Sequence, residues 1–381
     1  MVRVNTRCKK CLITEKCPDT KLDSEKICNH CRKVEAGEIP STPHFMPDAD
    51  KRKYVSELDT ILRNTRGERA YDCIVGFSGG KDSLYLIHRL RKEYPHLRIL
   101  AVTVIIGLIF NEKAEKNLKE ALGRLDVDHV SIRPRDSFFV KFYRYLIENR
   151  PKGGYKRGSY DSKTITAENA GLCVYCHGLV HDVMLNYAAE HRIPLHITGA
   201  SPGQPLYWFF SQSKEELSRS NVPEFMMNDP FDDLDRSYCW DPGRYPESAI
   251  PTVLFPFHVW DYNSEQIRQE IYDAGLISSL KNTSMLKTNC KLNFLMAYVD
   301  MHVEGYFNMQ PYLSFLIRHK LADRKKWVVP MFLLDNFLVK QEKPVIRQIE
   351  KILGIDKEAL IDKFRRQKQR DDISAATHCE R

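Results

Sequence analysis

Long apolar runs are missing from this sequence of 381 residues, as is any early basic stretch leading into an apolar segment that ends in small residues. The longest apolar candidate, Ile99 to Phe110, falls short of the about 20 residues that a helix needs to cross a bilayer. Secretion and membrane anchoring are therefore not expected, and the expected compartment is the cytoplasm. No internal repeat and no long heptad array is visible. The balance of 43% hydrophobic and 28% charged residues excludes a mostly disordered chain. Eleven cysteines over this length do not make a disulfide scaffold. Cytoplasmic thiol pools keep structural disulfides scarce, so CxxC pairs read as metal or sulfur sites. At roughly 150 residues per unit the chain holds about two to three units, with one α/β domain of about 200 residues as the default core. The formal net charge of +8 favours anionic partners, among them ATP, a nucleotide-linked sugar or RNA.

Four cysteines open the chain. Cys8 and Cys11 form one CxxC and Cys28 and Cys31 the other, with sixteen residues between the pairs. This is the spacing of two knuckles that fold back to place four thiolates around one tetrahedral Zn²⁺; redox pairs are the alternative. About 45 residues bury too little apolar surface to stand alone, so the metal supplies folding free energy. A closed four-thiolate site has no open coordination position, and such a module positions something rather than reacting itself. Cys17, followed by Pro18, falls on the intervening loop and reads as a spare. Pro40, Pro43 and Pro47 punctuate a linker before the helix-like segment Lys51 to Arg63.

The second feature is SGGKDS, Ser78 to Ser83, between the β-rich run Tyr71 to Phe77 and a stretch with helical apolar period. Gly79 and Gly80 let backbone pass close to phosphate oxygens. Lys81 adds a point charge, and Ser78 and Ser83 add hydroxyls near a helix amino terminus whose unpaired N–H groups favour anions. The peptide is not the GxxxxGK[ST] loop, so γ-phosphate transfer loses its warrant. Asp82 is awkward beside a bare phosphate and is expected to help hold Mg²⁺ or to order the loop. Further strands are expected at 99–104, 128–134 and 193–199, with a helix from Asn111 to Leu125. That alternation argues a parallel sheet with crossover helices.

At Ser78 to Ser83 the sequence resembles the PP-loop ATP pyrophosphatase superfamily, whose signature is SGGxDS after the first strand. The resemblance covers about residues 71–300. It implies a doubly wound parallel sheet that binds ATP, cleavage between the α and β phosphates, and AMP left on a substrate oxygen. Relatives carry an acidic or amide residue just after the second strand, where this chain has Ile105 and Ile106 before Gly107. A nucleobase contact and a buried strand extension are equal readings of that stretch.

Cys173 and Cys176 start a helix-like stretch within LCVYCHG, and Cys290 stands far along the chain in KTNCKLNFL. Two thiolates from one turn and one distant thiolate suit three irons of a [4Fe–4S] cube whose fourth iron stays open. A thiol-based sulfur carrier on Cys176 or Cys290, a zinc site completed by His177, and plain buried cysteines are the alternatives. Cys73 reads as core; Cys239 and Cys379, in polar or terminal surroundings, receive no role. After the strand at 193–199, Gly199, Ser201, Gly203 and Gln204 stand in a glycine–proline turn at the carboxyl end of the sheet. They are expected to contact the adenylate or the acceptor, with a tight structural turn as the alternative. Tyr207, Trp208, Phe209 and Phe210 follow, for stacking or for packing. In the tail, Lys363, Arg365, Arg366, Lys368 and Arg370 read better as a solvated helix end than as an RNA contact.

The order of zinc module, SGGKDS, CxxC and one remote cysteine resembles the thiouridylase-like sulfurtransferases. The chain also resembles the N-acetyl sugar amidotransferases of surface-polysaccharide synthesis, through Cys8, Cys11, Pro18, Asp19 and Thr20, through Cys173, Cys176 and His177, and through Thr288, Asn289, Cys290 and Asn293. Cys17 is an insertion relative to that opening. The expected organisation is a zinc module and linker over 1–50, an ATP pyrophosphatase domain over 51–300 with an insertion near 211–249, and a helical extension over 301–381. The expected cofactors are ATP, Mg²⁺, Zn²⁺ and a [4Fe–4S] cluster, with Lys81, Asp82, Cys173, Cys176 and Cys290 in the reacting centre. Partners are a sulfur donor or, in the alternative, an ammonia-supplying glutaminase, since the sequence has no recognisable glutamine-hydrolysing domain. A small acceptor or nucleotide sugar is favoured over RNA, and homodimer formation is admitted.

Overall fold

The computed structural model describes residues 6–38, 48–109, 112–149, 172–201, 211–280, 290–307, 309–333 and 342–379. Strands β1 (Cys73–Gly76), β2 (Ile99–Val104), β3 (Asp128–Ile132), β4 (Leu195–Ile197), β5 (Ser211–Gln212) and β6 (Thr252–Leu254) form one sheet in the order β3-β2-β1-β4-β6-β5. All neighbours are parallel except β5, which runs against β6. The longer helices are α1 (Asn29–Glu35), α2 (Asp48–Asn64), α3 (Lys81–Glu93), α4 (Glu112–Leu125), α5 (Asp136–Asn149) and α6 (Leu172–Glu190). They continue with α7 (Ser264–Asp273), α8 (Leu292–Val303), α9 (Gln310–Arg318), α10 (Arg324–Leu333), α11 (Pro344–Leu353) and α12 (Lys357–Cys379).

Both sheet faces are covered, and the alternation along β1 shows how. Cys73 and Val75 point to one face, where they join Leu58 and Leu62 of α2, Leu84 and Ile87 of α3, and Ile267 and Ile271 of α7. Ile74 points to the other, beside Val183, Met184 and Ala188 of α6. Strand β2 lies between and is buried at all its positions, which its continuous apolar run ILAVTV reflects. The chain winds from β1 outward through β2 to β3 and then returns to β4 on the other side of β1. The doubly wound arrangement expected from the sequence is therefore formed, and the strand order reverses between β1 and β4. Asp72, just before β1, is fully buried. Its carboxylate accepts from the Gly67 N–H at 2.7 Å, the Arg98 N–H at 2.9 Å and the Arg98 guanidinium at 2.7 Å, tying the starts of β1 and β2.

Two differences from the sequence reading have physical causes. Strand β6 comes from the apolar stretch after 251, which was not read as a strand; its three residues gain their place by pairing with β4. Cys239 does not sit in polar surroundings: it is completely buried in an apolar cluster with Phe138, Phe142 and Phe225, because the polar segment around it folds inward at Cys239 and Trp240. Cys73 is core, as expected.

The amino-terminal module does not stand apart. Cys8, Cys11, Leu12, Ile13, Cys28 and Cys31 share an apolar cluster with Met301 of α8, Leu313 and Ile317 of α9, and Met331 of α10. Helix α8 also sends Leu292, Leu295 and Val299 into the cluster built on α5, α11 and α12. No helix among the described residues is long and apolar enough to cross a membrane.

Candidate functional site

The Ser78–Ser83 turn leaves the carboxyl end of β1 and enters α3. Gly79 has φ +70°, and a Cβ there would stand 3.2 Å from Leu118 of α4, so conformation and space both call for glycine. Gly80 caps α3 without any side-chain cap bond, which leaves the first-turn N–H groups directed at the turn. The hydroxyls of Ser78 and Ser83 lie 3.3 Å apart, and Ser83 donates to the Gly80 carbonyl at 3.1 Å. Lys81 Nζ donates to Asp82 Oδ1 at 2.6 Å and to Tyr262 Oη at 2.8 Å; Tyr262 in turn donates to Asp82 at 2.9 Å. These contacts tie Asp82 to Lys81 and Tyr262.

The turn after β4 closes on the same spot. A Cβ on Gly199 would lie 3.3 Å from the Ser83 backbone, so absence of a side chain there lets the β4 loop meet the start of α3. Ser201 is buried, and the Tyr262 and Tyr312 hydroxyls lie within electrostatic reach of it. Burial, then the charge of Asp82, holds the Tyr262 hydroxyl well above the usual phenol range. The two loops thus meet outside the carboxyl ends of β1 and β4, at the reversal of strand order where open α/β sheets bind ligands. Gly203, Gln204 and the aromatics at 207–210 lie outside the described residues. So do Thr288 and Asn289.

Sequence reasoning missed Tyr262 and Tyr312. Each is an aromatic in an apolar stretch, and only the fold turns its hydroxyl toward the loop. Within 104–109, Ile105 N–H donates to the Ile132 carbonyl at 2.8 Å and Ile106 is buried against the α5 cluster.

The amino-terminal cysteines converge. The sulfurs of Cys8, Cys11, Cys28 and Cys31 all lie within 4.8 Å of one another. Sulfurs about 2.3 Å from one tetrahedral ion stand about 3.8 Å apart. The Cys8–Cys31 and Cys11–Cys28 separations are 3.9 and 3.6 Å. Backbone N–H groups of Lys10 and Cys28 point at the Cys8 sulfur at 3.4 and 3.3 Å, as knuckle turns require. Arg318 of α9 donates to the Cys11 sulfur at 3.6 Å. Crowded sulfurs titrate together: contact with Cys11 first of all holds Cys8 far below the usual thiol range, while Cys28 first of all pushes Cys11 up. Cys17 stays outside this group, its thiol pushed up to about 12 by burial.

The other three cysteines approach more loosely. Cys173 and Cys176 are one turn apart on α6, and Cys290 precedes α8, where the N–H groups of Leu292 and Asn293 face its sulfur. Burial raises the Cys290 thiol first, followed by the charges of Cys176 and Cys173, so the three sit within electrostatic reach. All three are half-buried. Tyr143 Oη lies 3.2 Å from the Cys176 sulfur. Among the described residues only the amino-terminal four form a group tight enough for a single ion. Thiolates that ligate separate irons of one cube stand farther apart than donors sharing one ion, and the soft donor set suits iron and sulfide. Exposed His177 is not part of the tight cysteine group.

Fold and sites together define the class: an α/β protein with a largely parallel, doubly wound sheet, a PP-loop-type glycine turn and a small tetra-cysteine metal-binding module. No family model matches the chain. The tRNA 2-thiolation protein NcsA of Haloferax volcanii is 25% identical over 162 residues, a stretch that is 41% of this chain and 45% of that protein. The match thus spans less than half of the curated relative. Among solved structures, the U34-tRNA thiolase NcsA from Methanococcus maripaludis with its [4Fe–4S] cluster aligns at TM-score 0.32 and 12% identity, over 92% of this chain and 89% of that one. NMN synthetase from Francisella tularensis aligns at TM-score 0.33 and 12% identity, over 80% of this chain and 93% of its own. The similarity to each of these proteins is remote.

Proposed function

We propose that the chain is an ATP-dependent sulfurtransferase that adenylates a carbonyl or amide oxygen of its acceptor and replaces that oxygen with sulfur. The observation that carries the reading is the Ser78–Ser83 turn meeting Gly199 and Ser201 at the β1/β4 switch point, with Lys81, Asp82 and Tyr262 bonded together beside it. The acceptor oxygen attacks the α-phosphorus, and the bond to pyrophosphate breaks. Loop N–H groups and Lys81 stabilise the charge growing on the departing pyrophosphate, with Mg²⁺ sharing that charge through Asp82. Sulfide then attacks the activated carbon, a proton is released, and AMP leaves with the acceptor's oxygen. Cys173, Cys176 and Cys290 would hold a [4Fe–4S] cluster, which would supply iron for binding sulfide, and Cys8, Cys11, Cys28 and Cys31 would hold a structural Zn²⁺; sulfide held beside the activated carbon would meet it at a lower entropy cost.

A second reading replaces sulfide with ammonia from a partner glutaminase and converts an acetamido group to an acetamidino group. It rests on the resemblance carried by Cys8, Cys11, Pro18, Asp19 and Thr20, by Cys173, Cys176 and His177, and by Thr288, Asn289, Cys290 and Asn293. For the acceptor, a small molecule is favoured over RNA because the basic run of the tail is brief and part of it makes contacts within the molecule. Arg365 donates to the His302 carbonyl at 3.1 Å and Lys368 pairs with Glu304 at 2.6 Å.

The test supplies anaerobic, cluster-loaded protein with MgATP, an ¹⁸O-labelled candidate acceptor, and sulfide and ammonia in competition. The expected products are pyrophosphate, ¹⁸O-bearing AMP and an acceptor heavier by the difference between sulfur and oxygen. ADP as the obligatory product ends the adenylation reading; an amidine alone selects the second reading and keeps the ATP chemistry.

A further inference from the structure

Asp82 is held by one of its two oxygens. Lys81 Nζ and Tyr262 Oη both donate to Oδ1, at 2.6 and 2.9 Å, and among the described residues no group bonds Oδ2. Lys81 Nζ also donates to Tyr262 Oη at 2.8 Å, so the three groups close a ring of hydrogen bonds. Lys81 and Asp82 belong to the turn itself. Tyr262 comes from a segment 180 residues further along the chain than Asp82.

That segment is fixed to α3 by packing, independently of the ion pair. The Tyr262 ring meets Phe257 edge-on with centroids 5.5 Å apart, and Phe257 stacks on Tyr85 of α3 at 6.0 Å. Arg89 of α3 lies over the Trp260 ring at 3.9 Å. Asn263 caps α7, whose Ile267 and Ile271 share the core with Leu84 and Ile87 of α3. A ring packed this way confines its hydroxyl to a small volume.

MgATP makes opposite demands on the two charges of the turn. Phosphate oxygens attract the Lys81 ammonium, and a hard divalent cation attracts the Asp82 carboxylate. When Lys81 turns to the phosphates, Asp82 loses its cation. Its side chain is only 20% exposed, and a carboxylate so placed is costly without partners. The neutral Tyr262 hydroxyl, on a packed ring, is the donor that stays.

We infer that Tyr262 is the positioning residue of the Mg²⁺ site: it retains Asp82 by Oδ1 and keeps Oδ2 available to the cation while Lys81 serves the phosphates. This rests on the turn being a MgATP site, as proposed above, and gives the distant segment after β6 a task there.

The test is calorimetry of ATP on the full-length protein, with and without added Mg²⁺. Tyr262→Phe keeps the ring against Phe257 and removes the hydroxyl alone, and urea unfolding checks that both proteins start folded. Without Mg²⁺ the variant is expected to bind ATP no more weakly than wild type, since Lys81 has lost a competing acceptor. With Mg²⁺ its affinity is expected to be weaker by about tenfold, the contribution of one hydrogen bond to a charged group. An equal loss under both conditions makes Tyr262 a packing residue and overturns the proposal. A double-mutant cycle with Asp82→Asn gives a second measurement. In that background there is no carboxylate to retain, and Tyr262→Phe is expected to change the Mg²⁺ effect by less than about twofold. A full loss there overturns the route through Asp82. A wild-type chain that binds no ATP under either condition defeats the nucleotide reading and this one with it, whereas ATP binding with the same Mg²⁺ response in both proteins overturns the role of Tyr262 alone.

Discussion

Tyr143 brings a hydroxyl into the least polar part of the molecule. Its side chain is 1% exposed, its ring stacks on Phe139 with centroids 5.7 Å apart, and its Oη meets the Cys176 sulfur at 3.2 Å. A buried phenol without a partner is costly, so the sulfur and the tyrosine hold each other in place. With Cys176 as a thiolate ligand the hydroxyl is the donor, and a donor to a ligating sulfur favours the reduced, more negative state of a cluster. Tyr143→Phe is expected to retain iron and to lower the reduction potential by about 40 mV, the equivalent of one hydrogen bond of about 1 kcal/mol in a one-electron couple. Anaerobic redox titration followed by absorbance measures this. An unchanged potential at full iron content removes Tyr143 from the centre.

At the scale of elements, the sheet is pinned at one end and used at the other. The carboxyl ends of β1 and β4 carry the loops of the candidate site, while Asp72 and Arg98 lock the amino ends of β1 and β2. Burial alone would raise the Asp72 pKa, but its hydrogen bonds with Arg98 and Gly67 outweigh that and hold it below the usual carboxylate range. A depressed carboxylate pKa contributes stability that is complete above the unfolded value of about 3.9 and disappears as pH falls through the folded value. Asp72→Asn is expected to cost about 2 kcal/mol at neutral pH, less than a fully buried pair because Arg98 is 45% exposed. Urea unfolding of the two proteins should show this gap constant down to about pH 4 and narrowing below it. A gap that does not change with pH would refute the role given to the charge.

What was legible in the sequence was what local pattern encodes. The strand–turn–helix around SGGKDS and the continuous apolar run of β2 need only neighbouring residues, and the two CxxC pairs need only their spacing. Strand β6 was not legible, since its three residues carry no periodicity and become a strand by pairing with β4 across more than fifty residues of chain. Tyr262, Tyr312 and Arg318 were not legible either. Each is useful only because tertiary packing aims one polar tip from an apolar element, and no spacing marks such a residue.

Over the whole molecule, the question is what the excess positive charge does. The formal net charge is +8, and part of the densest basic run makes contacts within the molecule. Lys363 donates to the Glu148 carbonyl, Arg365 to the His302 carbonyl and Lys368 to Glu304, so this run fastens α12 to α5 and to the end of α8. The exposed side chains of Lys363, Arg365, Arg366 and Arg370 fit the solvated helix end expected from the sequence. The run is short and Lys368 is already paired with Glu304, so tRNA is expected to associate only through diffuse contacts. With three phosphate contacts, affinity falls about 40-fold between 50 and 200 mM salt, and more contacts steepen the fall. A small acceptor held at the loop turn has no such dependence. Formation of AMP is therefore expected to be stimulated by a nucleotide-linked sugar at 200 mM salt and left at its basal rate by bulk tRNA. Stimulation by tRNA that survives the higher salt would reverse the choice of acceptor, bringing it to the kind of substrate named for the Haloferax volcanii protein. The adenylation step would stand, because it depends on Lys81, Asp82 and the turn and not on what is presented to them.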